Sequence, residues 1–212
     1  MKSLGKRASG ARLERMQDSP LWTGQTQSFR NVHPALPGLR DPAMPMPSMS
    51  EFLCGGTRCT PRGPLPSLDP RKTWSKEPDT GLRATWLGHS TVLIEIDGFR
   101  VLTDPVWGPR ASPSTLVGPK RFQPVPVPLS AMPSIDLVVI SHDHYDHLDY
   151  LTICELALMG VPFVTSLGVG AHLEAWGVPA ERITEKMQVL AASGVTTLTI
   201  SPFGATQQDK LA

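Results

Sequence analysis

The sequence predicts an α/β layered domain over residues 81–212, preceded by a proline-rich extension over residues 1–80. Three observations carry that reading. Alternating apolar residues flank the pair Asp97-Gly98, the strongest short hairpin signal, because both central positions of the tightest turn need positive φ. From Ile135 onward, short apolar runs alternate with helical stretches, which is how strands interleave with covering helices. Upstream, half of the 22 prolines fall within the first 80 residues, too densely for a helix or a central strand to persist.

The extension comes first. Its opening 16 residues are basic but lack an apolar run, so they read as neither a secretory leader nor a membrane anchor. No stretch of the chain approaches the ~20 apolar residues of a spanning helix. Arg7, Arg12 and Arg15 belong to a solvated terminus or, on a short helix, to peripheral contact with a phospholipid surface. Leu21, Trp22, Phe29, Phe52 and Leu53 are apolar anchors able to dock parts of the extension on the domain; the rest is expected to be disordered. The cysteines Cys54, Cys59 and Cys154 are odd in number, which argues against a disulfide framework and for a reducing, cytoplasmic setting. Cys54 and Cys59 have no second pair to complete a zinc knuckle. A net charge of +1 and a pI near 7.8 give no bias toward nucleic acid, so no nucleic-acid partner is expected.

Within the domain, residues 84–87 and 91–96 read as strands, the second with Val92, Ile94 and Ile96 on one face and Leu93 and Glu95 on the other. Residues 99–103 return from the Asp97-Gly98 turn. A long loop rich in Pro and Gly fills residues 104–134; loops of such length are often functional, and its Lys120 and Arg121 are either substrate contacts for an anion or a solvated basic pair. Residues 135–140 form a buried strand. Asp149 can cap a helix over residues 150–159 that Gly160 terminates. A strand over residues 162–166, a helix over 169–176 closed by Gly177 and a strand over 195–201 complete the order. His172, on the second helix, reads as a surface or packing residue.

Chemistry concentrates in Ser141-His142-Asp143-His144-Tyr145-Asp146-His147-Leu148-Asp149, directly after the buried strand. Residues two apart on an extended segment point the same way, so His142 and His144 can hold one ion while Asp143 and Tyr145 point away. Asp146 and His147 fall where the chain must turn, and swing toward a second position. Two-metal hydrolases hold such ions roughly 3.5–4 Å apart, where a shared water is acidified from a pKa of ~15.7 toward ~7. Imidazole and carboxylate ligands suit Zn²⁺, with Fe or Mn as alternatives. Asp146 stands where it can orient that water or take its proton. Asp104 and Asp149 are candidates for holding ligand histidines or loop backbone, beside plain turn and cap roles.

The run His-x-His-x-Asp-His after an apolar strand resembles the metallo-β-lactamase superfamily. Residues Trp86-Leu87-Gly88-His89-Ser90-Thr91, Leu102-Thr103-Asp104-Pro105, Arg110-Ala111-Ser112-Pro113-Ser114 and Gly118-Pro119-Lys120-Arg121-Phe122 are similar to the branch of N-acylphosphatidylethanolamine-hydrolysing phospholipase D and its bacterial relatives. The resemblance covers residues 82–185. It implies an αββα sandwich, two zinc ions per complete site, His142 and His144 on the first, Asp146 and His147 on the second, and a structural role for His89. It also implies hydrolysis of a phosphodiester in a phospholipid-like substrate, with lactone hydrolysis on the same scaffold as the alternative.

The family completes its site with a third histidine, a bridging aspartate and a last histidine, whereas no histidine here follows His172, and Ser201-Pro202-Phe203-Gly204-Ala205 stands where a Pro-x-x-His segment is expected. The sequence thus predicts the N-terminal half or so of the sandwich, with a core face left uncovered. Self-association, as a homodimer or as poor solubility, is the expected consequence. An inactive fragment is the non-enzymatic alternative.

Overall fold

The computed structural model describes residues 2–30, 48 and 61–185. The strand expected over residues 195–201, and Phe52, Leu53, Cys54 and Cys59, lie outside them. In chain order the elements are α1 (Ala11–Gln17), β1 (Trp22–Thr23), β2 (Ser28–Phe29), α2 (Arg71–Trp74), β3 (Leu82–Gly88), β4 (Thr91–Ile96), β5 (Phe99–Thr103), β6 (Leu137–Ile140), α3 (Tyr150–Leu158), β7 (Phe163–Thr165), α4 (Gly170–Ala175) and β8 (Ile183–Glu185). Strands β3 to β8 form one sheet in sequence order, antiparallel across β3–β4–β5 and parallel from β5 onward.

The hairpin turn forms as its residues dictate, Asp97 at φ 48° and Gly98 at φ 83°, and it pairs Ile96 with Phe99. Register then sorts the sheet into two unlike faces. Leu87, Leu93, Leu102, Val138, Ile140 and Phe163 are buried with Ile153 and Leu156 of α3 and Leu173 of α4 in one core cluster. Both helices therefore cover the same face, as right-handed crossovers between parallel strands require. On the opposite face, Ala84, Ile94 and Val101 stand in one row and Trp86 and Val92 in the next. Trp86 keeps 64% of its surface exposed and Phe99 63%, and no described element packs there.

Four parts of the molecule exceed the sequence expectation. The loop over residues 104–136 is not structureless. It carries a 3₁₀ turn at Leu129–Ala131 and a bridge between Arg110 and Lys120, and it buries Val106, Val127 and Leu129. Strand β8, at the fading edge of the motif similarity, has only three residues and is recognisable by its pairing with β7 alone. The N-terminal segment docks on the domain by specific bonds. Arg12 and Arg15 meet Glu185 at 2.5 and 3.1 Å, and the other oxygen of that buried carboxylate accepts from the backbone N–H groups of Gly168 and Gly170. Trp74, upstream of the expected domain start, joins the core and donates its indole N–H to Thr85 Oγ1 at 3.1 Å.

Candidate metal centre

Parallel strands that run side by side end side by side, and ligand-bearing loops of α/β sheets gather at their carboxyl ends. Here Asp104 directly follows β5, Ser141 directly follows β6, and the β3–β4 turn brings His89 to the same edge. Asp104 sits in the left-handed region at φ 40°, a conformation that costs a non-glycine residue on the order of 1 kcal/mol. Surrounding bonds hold it there. Its N–H donates to Val139 O at 2.9 Å, and its carbonyl accepts from the Thr91 hydroxyl at 2.8 Å.

The strained backbone aims the Asp104 carboxylate at the metal loop. Oδ1 accepts from the Ser141 N–H at 2.7 Å. Oδ2 lies 2.8 Å from Ser141 Oγ and 2.9 Å from His147 Nδ1. An ionised carboxylate can only accept, so His147 donates from Nδ1 and turns Nε2 outward, the orientation metal-bound histidines adopt. The Ser141 hydroxyl, having given its proton to Asp104, accepts from His142 Nδ1 at 2.8 Å and fixes the same tautomer there. Burial, reinforced by the neighbouring His147 and His144, pushes His142 toward its neutral form, the form that binds metals.

The loop turns where its sequence suggests, with the N–H groups of His147 and Leu148 donating to His144 O at 2.9 and 2.7 Å. Leu148 is buried beneath it, while Asp143, His144 and Tyr145 face solvent. The His142 and His144 rings lie 4.6 Å apart and the His142 and His147 rings 4.1 Å apart, so the two expected ligand pairs form one cluster.

Asp146 completes it with a partner that periodicity could not supply. Its Oδ2 is 2.8 Å from His89 Nε2 and 3.7 Å from His147 Nε2, and ligand atoms of His89, Asp146 and His147 all lie within 4.8 Å of one another. Two ligand atoms at ~2.1 Å from a tetrahedral zinc stand about 3.4 Å apart, close to the 3.7 Å between Asp146 Oδ2 and His147 Nε2, so that pair could hold a divalent cation while His89 holds Asp146 from outside. The turn of His89 clamps Asp146 twice, since the Ser90 hydroxyl also donates to Asp146 O at 3.1 Å. The indole of Trp86 donates to His89 O at 2.7 Å, and His89 itself adopts φ 49°. Although burial opposes ionisation of Asp146, the bond from His89 and the charge of His147 draw its pKa below the usual value.

Of the other candidate residues, Asp149 lies apart from the cluster. It caps α3 through Thr152 and accepts from the Gly108 N–H at 3.0 Å, tying the long loop to the helix. His172 packs on Trp176 and accepts from the Lys6 N–H at 3.2 Å. Lys120 and Arg121 line, with His89, His144 and Asp146, an open cavity of about 1400 Å³ whose wall also includes Leu65, Leu68, Trp86, Val106, Phe122 and Trp176. Ser141 and Ser90 are the polar residues that sequence reasoning passed over. A small hydroxyl residue immediately before the first histidine was the available signal for Ser141.

The family model of the beta-lactamase superfamily domain matches residues 99–210, more than half of the 212-residue chain. The chain is 51% identical over 138 residues to an uncharacterized protein of Mycobacterium tuberculosis, a match covering 64% of this chain and 36% of that protein. It is 41% identical over 105 residues to the N-acyl-phosphatidylethanolamine-hydrolyzing phospholipase D 1 of Caenorhabditis elegans, covering 49% of this chain and 30% of that one. It is 30% identical over 118 residues to a metal-dependent hydrolase of Methanopyrus kandleri, covering 48% and 46%. The chain spans less than half the length of each of these relatives.

Proposed function

This chain belongs to the metallo-β-lactamase superfamily, and from that premise we propose that its His/Asp cluster serves metal-dependent hydrolysis of a phosphodiester in an amphiphilic, N-acyl phospholipid-like substrate. The observation that carries the proposal is the convergence of His89, Asp146 and His147 within 4.8 Å, with Asp104 holding the outer nitrogen of His147 at 2.9 Å. His142, His144, Asp146 and His147 are the metal ligands in this reading, and zinc the ion, two per complete site. A divalent cation bound here supplies an acidified water and neutralises charge developing on the phosphoryl oxygens.

The chain's own residues do the rest. Asp104 and Ser141 accept from Nδ1 of His147 and His142, so that both rings would present Nε2 to an ion. Asp146 places a carboxylate beside the reacting centre, where it can take a proton from water. The cavity wall, apolar at Leu65, Leu68, Trp86 and Phe122, suits an acyl chain, and the relative in Caenorhabditis elegans is by its name a hydrolase of an N-acyl phospholipid.

Metal content of the purified chain, followed by assays on one N-acyl phospholipid and one lactone, tests the proposal. Bound zinc and phospholipid cleavage lost in His142→Ala and Asp146→Ala are the expected results. Preference for the lactone would overturn the substrate reading. Absence of tightly bound metal would overturn the catalytic one.

A further inference from the structure

The cavity beside the cluster is lined by Arg83, Lys120 and Arg121 as its strong cations, and the three differ in what they are free to do. Arg83 is committed, with its guanidinium 2.5 and 2.8 Å from the two oxygens of Glu95. Lys120 is exposed and its backbone is bridged to Arg110; an ammonium in water gains little from one more anion. Arg121 is partly buried, and among the described residues no carboxylate pairs with it. Its Nη2 donates to Val106 O at 2.7 Å, which orients the group; among the described residues Nη1 and Nε have no hydrogen-bond partner.

Orientation is toward the metal edge. Nη1 packs against the backbone of Gly88, where an added Cβ would stand only 2.9 Å away and where φ is 117°. Gly88 immediately precedes His89, whose Nε2 holds Asp146. Burial works against the Arg121 charge and pushes its pKa below the usual guanidinium value, with a weaker opposing pull from Asp149. A partly buried guanidinium that no carboxylate among the described residues contacts is costly unless an anion arrives to meet it, and the planar fork matches the oxygens of a phosphate.

We infer that Arg121 is the anion anchor of this cavity, the residue that selects amphiphiles bearing a phosphate over uncharged ones of equal chain length. The inference deepens the proposed phosphodiester hydrolysis and rests on that reading for its substrate class, but it concerns binding rather than turnover. Lys120, although adjacent in sequence, is not the anchor.

Isothermal titration of the full chain as purified, with n-decyl phosphate and n-decyl glucoside, tests it, because any bound metal is common to all variants compared. Binding of the phosphate about tenfold tighter than the glucoside is expected from charge-assisted hydrogen bonds. Arg121→Gln, which keeps a donor toward Val106 O, removes that preference while glucoside binding persists. Arg121→Lys keeps part of it, and Lys120→Gln keeps all of it. No preference in the unmodified chain, or a preference intact in Arg121→Gln, overturns the inference. Metal content is read separately, so that loss of metal with retained anion preference counts against the hydrolase reading alone.

Discussion

Asp104 organises the centre through one unusual backbone angle. At φ 40° its carboxylate reaches both the Ser141 backbone and His147, a geometry that the Asp-Pro dipeptide alone does not announce. His89 acts from the other side, 57 residues away from Asp146 in sequence. Such outer contacts typically set metal affinity by 10–100-fold. We therefore expect His89→Ala to weaken zinc binding by about that factor, measured by competition with a chromophoric chelator, without lowering the melting temperature. His89→Gln, which retains a donor toward Asp146, should recover most of the affinity. Unchanged affinity in His89→Ala would show that the contact is incidental. The spacing of His142 and His144 was legible because side chains alternate along an extended segment. The His89 contact was not, since nothing local ties a turn after β3 to a loop after β6.

Strand β4 shows the same division at the scale of an element. Its alternation was legible, yet the face that is buried carries Thr91, Leu93 and Glu95, whereas Val92, Ile94 and Ile96 are left on the open side. Glu95 tolerates burial because Arg83 and Arg100 reach it at 2.5 and 3.4 Å. Burial alone would raise its pKa, but the bonds and charge of Arg83, helped by Arg100, bring the net value below the usual 4.5. A carboxylate whose folded pKa is depressed stabilises the fold fully above 4.5, and that contribution is lost as pH falls through the folded value. Removing Arg83 from a buried pair should cost about 3 kcal/mol near neutral pH. Denaturant unfolding of the native chain and Arg83→Met should thus differ most near neutrality and converge in acid. A gap independent of pH would assign the loss to packing of the arginine stem.

At the scale of the whole molecule, the sheet buries one face, while among the described residues the other keeps several large apolar side chains exposed. Leu82, Trp86, Ile96 and Phe99 remain 55, 64, 41 and 63% exposed, a contiguous apolar surface of the kind that monomers seldom present to water. No described element covers it. We expect the chain to self-associate through this face. Ile94→Lys, at the middle of the row between Ala84 and Val101, should shift sedimentation toward the monomer while leaving zinc binding intact. A native chain that sediments as a monomer at all accessible concentrations would refute this expectation.

The sequence by itself determined the Asp97-Gly98 hairpin, the alternation of strands and helices, the cap at Asp149 and the loop that carries His142, His144, Asp146 and His147. Each is encoded within a few residues by turn conformation, periodicity or hydrogen bonding to nearby backbone. Tertiary structure alone decided which face of β4 is buried, that Glu185 holds Arg12 and Arg15, that Asp104 fixes the tautomer of His147 and that His89 clamps Asp146. Those contacts join residues tens of positions apart. They depend on how the strand ends align once the sheet closes, a long-range geometry that no local pattern of side chains encodes.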